Sequence, residues 1–183
     1  MDLEKINNVQ LKGESYTTES YLEITLNHLP QEILMILKRI YAGTKSEFTS
    51  LTQYMYQHYI VWSNPKLGNL SEMLEKIAIQ EMKHHEIVAK ILVKCGIDPK
   101  NCVYIDGNSN LCDYWKASSV SYEKTLIRMF ESDILLEQRA IEDYNEVLNK
   151  TDNANLKQII LKILQDEYVH LEYFRNVMEL LKN

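Results

Sequence analysis

The chain has 183 residues, 45% hydrophobic and 25% charged, with 5 glycines and 3 prolines, about 4% Gly plus Pro against roughly 12% in average usage. That scarcity excludes β-sandwiches, barrels and propellers, which need a turn residue every ~8–12 positions, and the apolar content excludes a disordered chain. A net charge of −6 without any basic block argues against nucleic-acid binding, and no run of about 18 apolar residues offers a membrane span.

Residues 1–30 read as a polar N-terminal arm with a short helix around residues 21–28, and no signal-peptide core precedes it. A first long helix is expected over residues 31–62, opening after Pro30 and stopped by Ser63-Asn64-Pro65. The second opens near Asn69 or Ser71 and ends at Cys95, before Gly96. Residues 97–119, with Pro99, Gly107, Asn108, Ser109 and Asn110, form the main loop. The third helix covers residues 121–149, and the fourth follows Thr151-Asp152-Asn153 to the C-terminus. One long and two short connections define an all-α four-helix bundle over residues 31–183, with one long crossover between helices two and three. Three cysteines, Cys95, Cys102 and Cys112, without a CxxC pair suggest neither a disulfide framework nor a zinc knuckle. A cytoplasmic location is the expectation.

Each helix carries an apolar seam at steps of three and four. The seams are Leu74, Ile77, Glu81, His84, Val88, Ile91 and Cys95 in the second helix, and Leu156, Ile160, Ile163, Glu167, His170, Phe174, Val177 and Leu181 in the fourth. The third gives Ile127, Phe130, Ile134, Glu137, Ile141, Tyr144 and Leu148. The first is looser, running Ile33, Leu37, Ile40, Thr44, Glu47, Leu51, Tyr54, His58 and Val61. Every seam is interrupted near its middle by an acid or a histidine.

The interruptions repeat. Helices one and three each supply a Glu with a Tyr seven positions on, Glu47 with Tyr54 and Glu137 with Tyr144. Helices two and four each supply Glu-x-x-His, Glu81 with His84 and Glu167 with His170. The Glu and the ExxH lie 34 residues apart in the first half and 30 in the second. Positions i and i+3 share one helix face, so a Glu and a His so placed reach the same ion. Four buried carboxylates without counter-charge would face several kcal/mol of desolvation each. Two divalent cations cancel that charge, and two of the Glu can bridge them while the other two cap the ends.

These residues carry a resemblance. Residues 42–47 (AGTKSE) with Tyr54, residues 79–84 (IQEMKH), residues 165–170 (QDEYVH) and residues 137–141 (EQRAI) with Tyr144 are similar to the metal-bearing helices of the ferritin-like di-metal carboxylate superfamily, its rubrerythrin-like and manganese-catalase-like branches above all. The resemblance implies Glu47, Glu81, His84, Glu137, Glu167 and His170 as ligands of two Fe or two Mn ions, in a ferritin-like four-helix bundle. The sequence departs from rubrerythrins in lacking CxxC pairs and in having Ala140 where they carry an extra Glu. With no room for a fifth helix after Asn183, a large iron-storing cage is disfavoured.

Around the ligands, Asp166 and Gln80 are candidates to accept the second ring N–H of a metal-bound His, and Tyr54 and Tyr144 to hydrogen-bond carboxylates or quench oxidants. His85 and Glu86 should face solvent. His58, about 16 Å along the helix from Glu47, should be a packed or capping histidine. Met55, Met73, Met82, Met129 and Met178 should fill gaps. The loop aromatics Tyr104, Tyr114 and Trp115 suggest contact with a neighbouring subunit.

The expected function is a di-metal oxidoreductase acting on hydrogen peroxide or dioxygen, a catalase or peroxidase. A separate electron-donor protein and a small homo-oligomer are the partners this implies. The competing readings are ferrous iron binding and oxidation, a structural coat-type protein with a relict di-metal site, and a hydrocarbon or aldehyde oxygenase.

Overall fold

The structure is a computed structural model in which residues 2–10, 23–26, 28–101, 104–105, 111–112 and 115–183 are described. A short helix α1 (Leu3–Asn7), capped by the Asp2 side chain, precedes α2 (Gln31–Ala42) and α3 (Glu47–Trp62). Then come a 3-10 turn (Pro65–Leu67), α4 (Gly68–Lys94), two paired two-residue strands β1 (Tyr104–Ile105) and β2 (Leu111–Cys112), and a second 3-10 turn (Ala117–Ser119). Helices α5 (Leu126–Lys150) and α6 (Ala154–Lys182) complete the bundle. The helical pairs α3–α4 and α5–α6 form its two halves, with α2 packed on α4 and α5. The long crossover joins α4 to α5, as expected.

Three expectations change. The first long helix is two, broken over residues 43–46. Gly43 closes α2, its N–H donating to Arg39 O at 2.8 Å, and a Cβ there would stand 2.6 Å from the same carbonyl oxygen. Ser46 then opens α3, its hydroxyl accepting from the Thr49 N–H, so Glu47 becomes the first residue of a helix rather than the middle of one. No helix spans residues 23–26 and 28–30, and residues 21, 22 and 27 lie outside the described set. Instead Leu26 and Leu29 are buried, and Asn155 clamps the segment by accepting from Thr25 N and donating to Glu23 O.

The third correction concerns α5, whose buried face lies one position away from the counted seam. Met129, Asp133, Leu136, Asp143 and Val147 are buried with Phe130, Glu137 and Tyr144, whereas Ile127 is exposed and Ile134, Ile141 and Leu148 only half-buried. Apolarity alone misplaced it, because two of the buried residues are aspartates with partners. Asp143 binds Arg39 of α2 through Nη2 at 2.9 Å and Nε at 3.3 Å, and Arg139 at 2.7 Å.

The apolar interior falls into two clusters. One joins α2, the second half of α4 and the first half of α6, around Leu37, Ile40, Val88, Ile91, Ile160 and Ile163. The other joins α1, α3, the first halves of α4 and α5 and the second half of α6, around Ile6, Leu70, Leu74, Phe130, Phe174 and Val177. The acids and histidines of the interrupted seams occupy the layer between the two. No helix among the described residues is long and apolar enough to cross a membrane.

Candidate metal centre

All six sequence-expected ligands meet in that layer. Glu47, at the start of α3, is brought inward by the Ser46 cap. Glu81 and His84 sit one turn apart on α4, as do Glu167 and His170 on α6, and Glu137 faces them from α5. None is more than 2% exposed. They form two overlapping quartets, Glu47–Glu81–His84–Glu167 and Glu81–Glu137–Glu167–His170, each with one candidate ligand atom per residue within 4.8 Å of the others. Glu81 and Glu167 belong to both.

The geometry aims these groups at common points. His84 Nδ1 stands 2.8 Å from Glu167 Oε1, 3.4 Å from Glu81 Oε2 and 3.8 Å from Glu47 Oε2. His170 Nδ1 stands 2.8 Å from Glu81 Oε1 and 3.7 Å from Glu137 Oε2. Despite these approaches, His170 Nδ1, Glu81 Oε1, Glu47 Oε2, Glu137 Oε2 and both Glu167 oxygens lack an aligned hydrogen-bond partner. Buried polar atoms are normally paired, so a layer of converging, unmatched acceptors fits two cations better than a hydrogen-bond network. The donor set, carboxylate and imidazole, suits iron and manganese alike.

Electrostatics agree. Burial, then the Glu81 carboxylate, pushes the Glu47 carboxyl well above its usual range, and burial followed by Glu81, Glu47 and Glu137 does the same to Glu167. Burial works against Glu81 ionising too, yet His170 and His84 outweigh it and hold that carboxyl low. Burial opposes charge on His170, but Glu81 and Glu137 raise it to about 10, while Asp166 and Glu167 raise His84 well above its ordinary value. The metal-free cluster thus balances its charge with protons, the role that divalent ions take when bound.

Two tyrosines brace the end carboxylates crosswise. Tyr54 of α3 donates its hydroxyl to Glu137 Oε1 of α5 at 2.5 Å, and Tyr144 of α5 donates to Glu47 Oε1 of α3. Burial and then the facing Glu keep both phenols protonated far above their usual range. Each end Glu is left with Oε2 pointing at the cluster. Asp166 Oδ2 lies 3.3 Å from His84 Nε2. Gln80 hydrogen-bonds Asp166 instead of serving His170, whose Nε2 has no partner among the described residues.

Sequence reasoning missed a polar network beside Glu137. Asp133, one turn earlier on α5, accepts from Gln53 Nε2 at 2.7 Å and Gln57 Nε2 at 2.8 Å, and all three are buried. The signal was available, since Asp133 precedes Glu137 by four positions and shares its face. His58 is a packed histidine, with Nδ1 2.9 Å from Ser71 O. Met73, Met129 and Met178 are buried, but Met82 is 49% exposed and fills no gap. Glu86 is exposed as expected and pairs with Lys90.

His85 is a correction. It stacks on Tyr41 with centroids 4.2 Å apart and meets Phe48 at 5.3 Å, and burial lowers its pKa to about 4. Trp115 packs within the chain, edge-on to Phe48 at 4.7 Å, its backbone N–H donating to Ala42 O at 2.6 Å. The side chains of Tyr104 and Tyr114 lie outside the described residues.

Comparison with known proteins gives the same picture. A bacterioferritin from Desulfovibrio desulfuricans is 26% identical over 140 residues, 75% of this chain and 70% of the relative. Among solved structures, a manganese catalase from Anabaena superposes with a TM-score of 0.74 at 19% identity, covering 91% of this chain and 80% of that one. The structure of the D. desulfuricans bacterioferritin, whose diiron site was captured in different catalytic states, superposes with a TM-score of 0.66 at 24% identity, covering 83% and 81%. These structural likenesses establish the ferritin-like helical bundle. The rubrerythrin family profile matches residues 40–178, a span that contains every residue of the two quartets, and the chain belongs to the rubrerythrin family.

Proposed function

We propose that Glu47, Glu81, His84, Glu137, Glu167 and His170 bind two iron or two manganese ions, and that the chain is an oxidoreductase consuming hydrogen peroxide or dioxygen at that centre. One observation carries the reading: two buried quartets share Glu81 and Glu167 and aim unmatched acceptor atoms inward. Glu81 and Glu167, common to both quartets, would serve both ions, Glu47 and His84 would help hold one, and Glu137 and His170 the other. When bound, such a pair supplies a two-electron couple divided over adjacent ions, suited to the O–O bond.

The residues of the chain orient and enclose that chemistry. Tyr54 and Tyr144 fix the end carboxylates by holding one oxygen of each, and Asp166 holds the His84 ring by accepting its Nε2–H. The enclosing burial keeps bulk water and large substrates away, which favours a substrate as small as peroxide or dioxygen. The experiment is peroxide consumption by metal-loaded protein, with and without an added reductant. Turnover without reductant identifies dismutation, and turnover only with reductant identifies a peroxidase fed by a separate donor.

A second reading, ferrous iron oxidation for storage, is favoured by the bacterioferritin relative. It requires ferrous-dependent oxygen uptake with retention of ferric iron, together with a large hollow assembly. A small homo-oligomer that consumes peroxide and releases its iron supports the enzyme.

A further inference from the structure

We infer that Trp115 is the port through which single electrons pass between the metal centre and the protein surface, across the aromatic cluster it forms with Phe48 and His85. The inference rests on the proposed peroxide chemistry and adds to it the route and the kind of partner. Phe48 follows candidate ligand Glu47 on α3, and His85 follows candidate ligand His84 on α4, so the cluster begins one residue along the backbone from two candidate ligands. His85 and Phe48 lie 5.3 Å apart, and Phe48 and Trp115 4.7 Å. Trp115 is partly exposed at the surface end. Its position is fixed rather than incidental, because the Trp115 N–H is clamped to Ala42 O at the end of α2. The other tryptophan, Trp62, is 72% exposed at the far end of α3, about 22 Å along the axis from Glu47.

Reduction of one peroxide takes up two electrons and two protons and yields two waters. At the port, the indole of Trp115 gives one electron to the centre, which is reduced by one, and the indole becomes a one-electron-oxidised radical cation. It keeps its N–H, since Nε1 is buried with no acceptor among the described residues. A one-electron donor at the surface, of the reduced iron–sulfur or flavin protein class, returns the electron and is itself oxidised. Two such cycles complete one peroxide. Without a donor, the oxidised indole gives a second electron to the centre and takes up water with loss of two protons, leaving a permanent hydroxyl adduct.

The test loads the full chain with iron, measures peroxide consumption, and maps oxygen adducts on the two tryptophans by peptide mass spectrometry, with ascorbate as the added reductant. Oxidation by bulk peroxide follows exposure and strikes Trp62 first, whereas oxidation through the centre strikes Trp115. The expected result is several-fold more adduct on Trp115 than on Trp62, suppressed by ascorbate and absent from metal-free protein. Trp115→Phe, which preserves the edge-on packing, should keep its two metals and lose most ascorbate-supported turnover. Equal or greater damage at Trp62, the same Trp115 damage without metal, or unchanged ascorbate-supported turnover in W115F overturns the port while leaving the peroxide reading intact. Iron-loaded protein that consumes no peroxide at all overturns both.

Discussion

Replacing Tyr144 by Phe removes a single oxygen atom and leaves the ring in its fully buried place. That oxygen donates to Glu47 Oε1. In metal-free protein burial and Glu81 push the Glu47 carboxyl well above its usual range, which favours its protonated form, and a bond between two neutral groups is worth about 1 kcal/mol. Once a cation makes Glu47 a carboxylate, the bond is charge-assisted and worth about 1.5–3 kcal/mol. The difference, about 0.5–2 kcal/mol, is charged to metal binding and corresponds to ~2–30-fold weaker affinity of the Glu47–His84 quartet. Titration calorimetry with Mn2+ on wild type and variant measures it, and thermal melting of both metal-free proteins measures the neutral part. Tyr54→Phe should weaken the Glu137–His170 quartet in the same way. Should Tyr144→Phe lower the metal-free Tm and leave both affinities unchanged, the tyrosine merely packs and the bracing role is refuted.

Further outcomes follow from the scaffold. Gly43→Ala places a Cβ 2.6 Å from the Arg39 carbonyl oxygen, a backbone clash expected to cost about 1–3 kcal/mol, and an unchanged Tm would contradict the account of the α2–α3 break. Arg39→Met leaves buried Asp143 with Arg139 alone, and since Arg39 is itself part-exposed the loss should be about 1–3 kcal/mol rather than that of a fully buried pair, read as a lower denaturant midpoint at constant m-value. Burial pushes the Asp133 carboxyl up to about 8, against hydrogen bonds from Gln57 and Gln53. A carboxyl raised on folding holds a proton that the unfolded chain has released, so its stabilisation is full below the ordinary value of 3.8 and is lost as pH rises through 8. Asp133→Asn should therefore flatten the fall in Tm between pH 5 and pH 9, and an unaltered pH profile would show that Asp133 is ionised at neutrality.

The convergence of the six acids and histidines and the four-helix order are legible in the sequence because each is a periodic signal. Glu-x-x-His on an apolar seam, twice, can converge in only a few ways once the seams are packed. What escaped was non-periodic or polar. The break at residues 43–46 is a Gly at a helix end followed by a Ser cap and an acid, and it is hidden because Ile40, Thr44 and Glu47 keep the seam's steps of four and three across it. Asp133 and Asp143 were passed over on α5 because isoleucines one position away look more like core, although Gln53, Gln57 and two arginines supply the partners that let aspartates go inside. The angle of His85 relative to His84 points it to solvent, but Tyr41 and Phe48 reach round to cover it. Which Glu are shared, and that each tyrosine braces the carboxylate of the opposite half, are facts of the three-dimensional crossing of α3 with α5 and of α4 with α6. No spacing along one chain encodes them.

The most direct test of the central claim is metal content by elemental analysis of protein from its native source, set beside the paired variant Glu81→Gln with Glu167→Gln. Wild type should carry two ions of iron or manganese per chain, and the variant, deprived of both shared carboxylates, should lose both ions together while remaining helical. A wild-type protein holding one ion or none, or a variant that keeps both, would contradict the shared-carboxylate centre.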